Sequence, residues 1–520
     1  MVAVKTASRP EPVLVSRNSA AQMSGRLIYL LTRVGLPPIT LRFVSLDEYG
    51  IWSTCFLIIG YISIGAFGVA NVYLRFAAEY NAKGKQEEIG SLMGVGLAIT
   101  SVFSIVALAL LWLSLPWVNA WFKIPEALQA TADVLILGTV ATMLLDMSWG
   151  GFAYILQGIN RITQQTWVWM IGCLLETALI VVLLMEGYGV YGLLWAFVAR
   201  YVFSITLYAV LVYRAVPGLK LSLKGWREKL RLFAGYGGIL QLTGLVSMVM
   251  YSFDRFCAGM LTGVGAVGLL DIGQKFPMMA SQLFGSSQSS FLTALTHLYA
   301  TDRHDEIERI YLRGTRYLNM LNGVAMGFMA PFGMAIVTVW MGADPRYREA
   351  GIIMALATIG YHLHVMTGMA TSYFQSTHKA WRPLLAYMVP QMVLVALALA
   401  FGLVEFGPSL LLVVASMAGA RALSSLFFLA HTNFSLQIPQ WRFLWFVMLP
   451  GLMPYFLGYL VHYAAEPWLL TVGTGRFKLL PALAGLGVVY LGVVAFVFST
   501  LLLDKGEKSR WVGLLKRRRQ

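Results

Sequence analysis

Long apolar segments fill most of the chain and alternate with short polar linkers. The segments are roughly 20 to 28 residues long, the length that an α-helix needs to cross a bilayer, whereas barrel strands are about 10 residues long. We therefore predict an all-α polytopic membrane protein with about fourteen transmembrane helices. The predicted spans cover residues 22–43, 49–72, 90–117, 130–157, 163–186, 188–214, 233–262, 264–291, 315–341, 347–376, 381–405, 408–433, 441–464 and 476–503.

The pattern also repeats itself at a fixed offset, the distance along the chain from Leu46 to Val264. At this repeat offset Gln157 aligns with Gln375, and Arg161 with Lys379. The repeat predicts two pseudo-symmetric six-helix bundles, in residues 1–225 and 226–437, followed by two extra helices and a basic tail in 438–520. Two such halves are expected to form a substrate cavity at their seam, as in transporters built from repeats.

Composition supports the membrane class. Hydrophobic residues make up 58% of the chain and charged residues 12%, against about 25% charged residues in soluble domains. The net charge of +15 is explained by basic residues in alternate linkers, which place both termini of a multi-pass membrane protein in the cytoplasm. We expect no nucleic-acid partner. The N-terminal segment, residues 1–20, lacks an apolar signal core, so we expect no cleaved signal peptide.

Chemistry beyond transport finds little support in the sequence. The three cysteines lie in apolar segments without metal-ligand spacing, and no Gly-x4-Gly-Lys-Ser/Thr motif is present. The linkers are too short for a separate catalytic domain. We therefore expect no enzymatic activity, no cofactor and no metal. The tail after Asp504, rich in lysine and arginine with Trp511 and two leucines, is expected to lie on anionic membrane lipids.

Ionisable residues inside the spans cost about 2.5 to 3.5 kcal/mol each on insertion and suggest function by default. Arg26 and Arg33 are seven residues apart and lie on one face of the first span, before Pro37-Pro38, which is expected to kink or break the helix. Arg26 also fits an arginine that extends to the membrane interface. Together the arginines and prolines suggest a cationic, bendable helix, and a purely structural kink is the alternative.

Arg200 and Arg421 occupy nearly matching places in the two copies, with a shift of about three residues. They suggest a cationic cavity, but Asp146 and Glu176 could instead neutralise Arg200. In the second copy the equivalent of Asp146 is His364, so Arg421 is the better candidate for an unpaired cation.

Further charged residues lie in the seventh and eighth spans. Asp254 and Arg255 are adjacent, and Asp271 and Lys275 are four residues apart on one helix face, where a mutually neutralised pair is expected. The candidate substrate-binding residues are Arg26, Arg33, Arg200, Arg255, Lys275 and Arg421. The candidate coupling residues are Asp146, Glu176, Asp271 and His364.

Several segments, in order along residues 20 to 440, resemble the polysaccharide flippases (Wzx-type) of the multidrug/oligosaccharidyl-lipid/polysaccharide exporter superfamily. These segments are Leu46-Asp47-Glu48-Tyr49-Gly50-Ile51-Trp52, Arg75-x3-Glu79-Tyr80 with Lys83-Gly84-Lys85, Gln157-Gly158-Ile159-Asn160-Arg161 and Tyr251-x2-Asp254-Arg255. The resemblance implies two bundles in a V shape, alternating access, and transport of a polyprenyl-diphosphate-linked oligosaccharide to the outer face. It also implies that the two extra helices resemble the lipid-tail groove of lipid-II flippases.

The main hypothesis is thus a flippase for cell-surface polysaccharide synthesis, working as a monomer beside a polysaccharide polymerase and glycosyltransferases. A cation-coupled drug or small-molecule antiporter of the same superfamily is the alternative, since Asp146 and Glu176 supply buried carboxylates. A membrane glycosyltransferase or polymerase is a weaker hypothesis, because the outer linkers are short.

Overall fold

The computed structural model describes residues 25, 28–63, 68–234, 252–285, 288–377, 379, 381–473 and 475–502. Within these ranges all regular secondary structure is helical, which confirms the predicted class. Helices satisfy their own backbone N–H and C=O groups, as a chain in hydrocarbon must. The chain divides into two compact units, Met1–Gly268 and Leu269–Gln520. The bundle limits at residues 225 and 437 stay a prediction.

The helices are numbered in chain order. Before residue 263 they are α1 (28–40), α2 (Leu46–Ser63), α3 (Val69–Ala82), α4 (Gln86–Trp121), α5 (Glu126–Trp149), α6 (Gly151–Gly158), α7 (Ile162–Met185), α8 (Gly189–Ala215), α9 (Trp226–Leu232) and α10 (252–262). After it they are α11 (Val264–Gly285), α12 (Gln288–Ala300), α13 (His304–Met341), α14 (Arg348–Ser376), α15 (Val389–Phe406), α16 (Leu410–Ser435), α17 (Gln440–Phe443), α18 (Leu449–Val472) and α19 (Arg476–Val497).

Ten helical segments of the described chain are long and apolar enough to cross a membrane. They coincide with the third to sixth and the ninth to fourteenth predicted spans. The other four predicted spans each include residues outside the described ranges, so the total of fourteen stays a prediction. In the first of them, α1 continues through Pro37 and Pro38 and ends at residue 40. The prolines therefore mark the last turn of this helix.

The sequence repeat is visible in the helices themselves. The starts of α2 and α11, Leu46 and Val264, are separated by the repeat offset, and so are the ends of α6 and α14, Gly158 and Ser376. The ends of α7 and α15, Met185 and Phe406, are three residues further apart than this offset. Three residues are thus inserted in the second copy between α14 and the end of α15. This segment contains a π-helical turn, Leu384–Met388, the usual way in which a helix absorbs extra residues.

The fourth span of the first copy has a one-residue turn at Gly150, whereas its counterpart α14 is continuous. α5 ends at Trp149 and α6 begins at Gly151. A Cβ atom at Gly151 would lie 2.5 Å from the ring of Tyr73, which is fully buried in the core of the first unit. Glycine at this position therefore allows α6 to approach α3 closely.

The two helices without a copy, α18 and α19, are packed into the second unit. A Cβ atom at Gly458 would lie 2.1 Å from the carbonyl oxygen of Gly327, so α18 and α13 meet backbone to backbone. The Asn319 amide of α13 donates a hydrogen bond to the Val447 carbonyl at 2.5 Å. His362 of α14 contacts the same asparagine at 2.6 Å. The extra helices are therefore an integral part of this unit's core.

Candidate functional site: two arginines on one carboxylate

Three predicted residues of the first unit meet in the structure. Arg33 on α1 donates through Nη2 to both carboxylate oxygens of Glu176 on α7, at 3.2 and 3.0 Å. Arg200 on α8 donates through Nη1 to the Oε2 atom of Glu176 at 2.7 Å. One carboxylate therefore joins two guanidinium groups, and the three side chains come from three different helices.

The three side chains differ in accessibility. The side chains of Glu176 and Arg200 are 2% and 7% exposed, and that of Arg33 is 22% exposed. The Nε atom of Arg33 is buried without a hydrogen-bond partner. Arg33 is therefore the most accessible of the three side chains.

Aromatic rings complete the surroundings of both arginines. The guanidinium carbon of Arg33 lies 5.1 Å from the ring centre of Tyr29, and that of Arg200 lies 5.0 Å from the ring centre of Tyr201. Such contacts between a cation and an aromatic ring are worth about 0.5 to 2 kcal/mol, more when water is excluded. They help to hold two like charges on one carboxylate.

Asp146 is the second acidic residue of this region. It lies in the last turn of α5, is half-buried, and is within electrostatic range of Arg200. Its backbone oxygen accepts from the Gly150 amide at 2.7 Å, at the turn in the fourth span. Two arginines and two carboxylates thus give this region a formal balance of charge, and a proton or cation on Asp146 would shift it to positive.

The sequence places these groups inside the spans by position alone. Glu176 lies fourteen residues after the start of α7 at Ile162, and Arg200 eleven residues after the start of α8 at Gly189. Both are near the middle of helices of 24 and 27 residues. Ionic groups at that depth require partners because lipid cannot solvate them. The alternative in which a carboxylate neutralises Arg200 is therefore correct for Glu176.

In the second unit Arg421 has different surroundings. It is 3% exposed, and its guanidinium carbon lies 4.4 Å from the ring centre of Tyr361 on α14. His364 is within electrostatic range of Arg421 and forms a hydrogen bond with the hydroxyl group of Tyr387. The sequence predicted an unpaired cation at this position. In the structure the ring of Tyr361 lies against the guanidinium group.

The remaining candidates are placed as follows. Lys275 and Asp271 form the expected pair, with Nζ and Oδ2 2.6 Å apart. Asp254 is buried on α10, and its Oδ1 atom accepts from the backbone amide of Arg255 at 2.8 Å. Arg26 and the basic tail lie outside the described residues. Within the described ranges, no group of three His, Cys, Asp or Glu residues has the arrangement of a metal site.

Lys229 is a residue that sequence reasoning assigned only to membrane orientation. It lies on α9 with its side chain 2% exposed, and its Nζ atom donates to Glu88 at 2.5 Å and to the Tyr80 hydroxyl at 2.9 Å. Burial lowers the pKa of Lys229, the two hydrogen bonds raise it, and the net direction is upward. The sequence contained an indication that Lys229 is buried, because it shares a helix face with the buried Phe233 four residues later.

The fold defines the class of protein. It is similar to the lipid II flippase MurJ in an inward closed conformation, with a TM-score of 0.67 and 14% identity, over 92% of this chain and 98% of that one. It is similar also to a multidrug resistance MATE family transporter of the MOP superfamily in an inward-facing conformation, with a TM-score of 0.66 and 15% identity, over 82% and 98%. The fold is that of the polytopic transporters of this superfamily.

The sequence then gives the family. A family model described as polysaccharide biosynthesis protein matches residues 15–292, more than half of the chain, and the chain belongs to this family. The uncharacterized membrane protein EpsK of Bacillus subtilis (strain 168) is 20% identical over 330 residues. That match covers 62% of this chain and 65% of EpsK, so it spans less than two thirds of the relative. The predicted resemblance to polysaccharide flippases is confirmed at the level of the family.

Proposed function

We propose that this protein is a flippase that moves a polyprenyl-diphosphate-linked oligosaccharide across the bacterial cytoplasmic membrane for the synthesis of surface polysaccharide. Membership of the polysaccharide biosynthesis family supports the pathway. The observation that carries the substrate class is the contact of Arg33 and Arg200 with one carboxylate inside the first unit. Two guanidinium groups that share an anion are suited to a larger anion with more oxygens, such as a diphosphate.

In this proposal Glu176 occupies both arginines when no cargo is bound, and the diphosphate replaces it. It has one negative charge and two oxygens, which leaves the donors of two guanidinium groups only partly used. A diphosphate diester brings about two negative charges and several more acceptor oxygens, so it competes for both arginines. The diphosphate binds first to Arg33, because this arginine is the more exposed of the two, and then to Arg200.

The lipid part of the cargo is assigned to the extra helices. The match to the lipid II flippase covers 92% of this chain, and that to the MATE transporter covers 82%. The difference is a tenth of the chain, similar in length to α18 and α19 together. This supports a role of α18 and α19 in accommodating a polyprenyl tail.

Charge supports the proposed orientation of the protein and its candidate coupling residue. Both termini are cytoplasmic, because the basic linkers then lie inside. Asp146 is the candidate for ion coupling during alternating access, since its protonation changes the balance around Arg200. The protein works as a monomer without catalysis, and its partners are the glycosyltransferases and the polymerase that act before and after transport.

The test is complementation of a strain that lacks the gene. We expect Arg33→Ala and Arg200→Ala to abolish surface polysaccharide and to leave lipid-linked oligosaccharide accumulated in the inner leaflet, at unchanged protein abundance in the membrane. Arg231→Ala, which removes an exposed arginine of α9, is the matched control and should export normally. Normal export by Arg33→Ala would exclude the proposed cationic site.

A cation-coupled antiporter is the second candidate, favoured by the half-buried Asp146 and by the fold shared with a MATE transporter. Its test is uptake of a fluorescent organic cation into proteoliposomes under a proton or sodium gradient. Gradient-driven uptake that fails in Asp146→Asn, together with normal polysaccharide export by Arg33→Ala, would establish the antiporter.

A further inference from the structure

A groove of about 600 Å³ lies on the surface of the first unit, and its lining includes neither Arg33 nor Glu176. One wall is the junction of α5 and α6, with Trp149 and Phe152. The other wall is the second half of α8, with Val210, Tyr213 and Arg214. At Gly150, between Trp149 and Phe152, α5 ends and α6 begins.

The groove has an apolar length and a cationic end. Thr206, Ala209, Val210 and Tyr213 line it at the three- and four-residue spacing of one helix face. Trp149, Val210 and Tyr213 are 42%, 39% and 45% exposed although they lie on membrane-spanning helices, so this face is turned to lipid. Arg214 is exposed and belongs to none of the ion pairs of the described residues.

The dimensions match one leaflet of a bilayer. The lining of α8 begins at Ile205 and ends at Arg214, one residue before the helix ends. Nine residues at 1.5 Å rise give about 14 Å, which is close to half of the roughly 30 Å hydrocarbon thickness. The groove therefore runs from mid-membrane to the interface, with aromatic residues and a cation where lipid headgroups lie.

We propose that this groove binds an anionic phospholipid of the leaflet at the Arg214 end, with one acyl chain between Trp149 and Val210 and the phosphate on Arg214. The charge of the site selects the lipid: a guanidinium group donates two parallel hydrogen bonds to phosphate, and an interfacial cation favours lipids with net negative charge. The site is separate from the cargo site and does not depend on the proposed function.

The second copy provides an internal comparison. Ser435 stands at the place of Arg214 when the three inserted residues are counted, and Ala370 stands at the place of Phe152. The fourth span of that copy, α14, is also continuous from Arg348 to Ser376. The cation and the aromatic side chain at these two positions of the groove are therefore specific to the first copy.

The experiment is native mass spectrometry of the full-length protein in detergent, titrated with palmitoyl-oleoyl phosphatidylglycerol or phosphatidylethanolamine. We expect the wild type to retain phosphatidylglycerol preferentially. Arg214→Gln should weaken phosphatidylglycerol binding about five-fold, the effect of one interfacial cation, and leave phosphatidylethanolamine binding nearly unchanged. Ala209→Phe should block the groove and reduce binding of both lipids. Arg231→Gln, with an exposed arginine outside the groove, should bind like the wild type.

Unfolding midpoints that match the wild type would show that the variants are folded. The proposal is overturned if folded Arg214→Gln and Ala209→Phe variants both bind phosphatidylglycerol like the wild type. It is also overturned if undecaprenyl phosphate displaces phosphatidylglycerol at lower concentration than phosphatidylglycerol itself binds, because the groove would then hold the tail of the cargo.

Discussion

The two copies place an arginine at the same point of the same helix, and different side chains contact it in each copy. Arg200 lies eleven residues after Gly189 at the start of α8, and Arg421 lies eleven residues after Leu410 at the start of α16. Arg200 is 2.7 Å from the carboxylate of Glu176, whereas Arg421 lies over the ring of Tyr361. The scaffold is therefore symmetric, but its electrostatics are not.

A carboxylate partner and an aromatic-ring contact have different consequences for a buried arginine. A carboxylate can be replaced by another anion, and a second arginine, Arg33, shares it in the first copy. A ring contact compensates charge weakly and leaves the cation where it is. The place of Glu176 is taken in the second copy by leucine, Leu394 at the repeat offset and Leu397 when the three inserted residues are counted. The proposed exchange of a carboxylate for a diphosphate therefore concerns the first copy, where Glu176 is present.

The largest expected effect comes from giving the first copy the residue of the second. Glu176→Leu leaves Arg200 and Arg33 buried together without their carboxylate, so we expect a loss of about 3 to 5 kcal/mol of stability. Differential scanning fluorimetry in detergent measures it as a lower unfolding midpoint. Glu186→Leu, at the exposed end of the same helix, is the control.

The double variant E176L/R200L sharpens this prediction. The double variant removes the more buried arginine together with the carboxylate and leaves only the partly exposed Arg33 without its partner, so it should recover a large part of the lost stability. An unchanged midpoint in Glu176→Leu would show that the carboxylate does not hold the two arginines together in the membrane.

The second prediction concerns the ring contact of the other copy. A double-mutant cycle of Tyr361→Leu and Arg421→Leu should give a coupling energy of about 1 to 2 kcal/mol, the value of a desolvated cation–ring contact. The readout is the free energy of unfolding in a detergent titration. Tyr361→Phe keeps the ring and removes the hydroxyl group that donates to Gln274, so it should preserve the coupling to Arg421. A coupling below about 0.3 kcal/mol, the usual error of such cycles, would remove the contrast between the copies.

Sequence reasoning predicted what depends on spacing along the chain. The repeat offset from Leu46 to Val264 located the matching helices, and the spacing of four residues predicted the ion pair of Asp271 and Lys275. Both are local or periodic, so they follow from the order and geometry of the helices.

Contacts between helices that are distant along the chain could not be predicted from spacing. Glu176 and Arg33 are 143 residues apart, and their contact depends on how α1 and α7 are rotated about their axes. The contact of Arg421 with Tyr361 has the same cause, since apolar helices show little preference for one face. Lys229 was assigned to orientation because its linker contains four other cations, and only the packing of α9 shows that this one is buried.

The two copies also differ at the starts of α4 and α13, where Lys229 contacts the first copy. Substitutions at this place are expected to have the smallest effect on stability. Glu88 contacts Lys229, 141 residues away, whereas the equivalent Glu306 contacts Arg303 of its own turn. The side chains of Arg303 and Glu306 are 53% and 38% exposed, and such pairs contribute little. We expect Arg303→Met to change stability by less than about 0.5 kcal/mol, within the range of surface substitutions.

Lys229→Met should cost about 1 to 2 kcal/mol, since it removes a buried ammonium with two hydrogen-bond partners, one of them partly exposed. The pKa of Lys229 is raised above 10.5, so this contribution is complete at neutral pH and is lost as pH rises through the folded-state pKa. The measurement is the unfolding midpoint of both variants between about pH 7 and pH 9, where the difference between them should stay constant. Equal midpoints for Lys229→Met and Arg303→Met would mean that the long-range contact contributes no more than a surface ion pair, and that α9 is not held to α4 through Lys229.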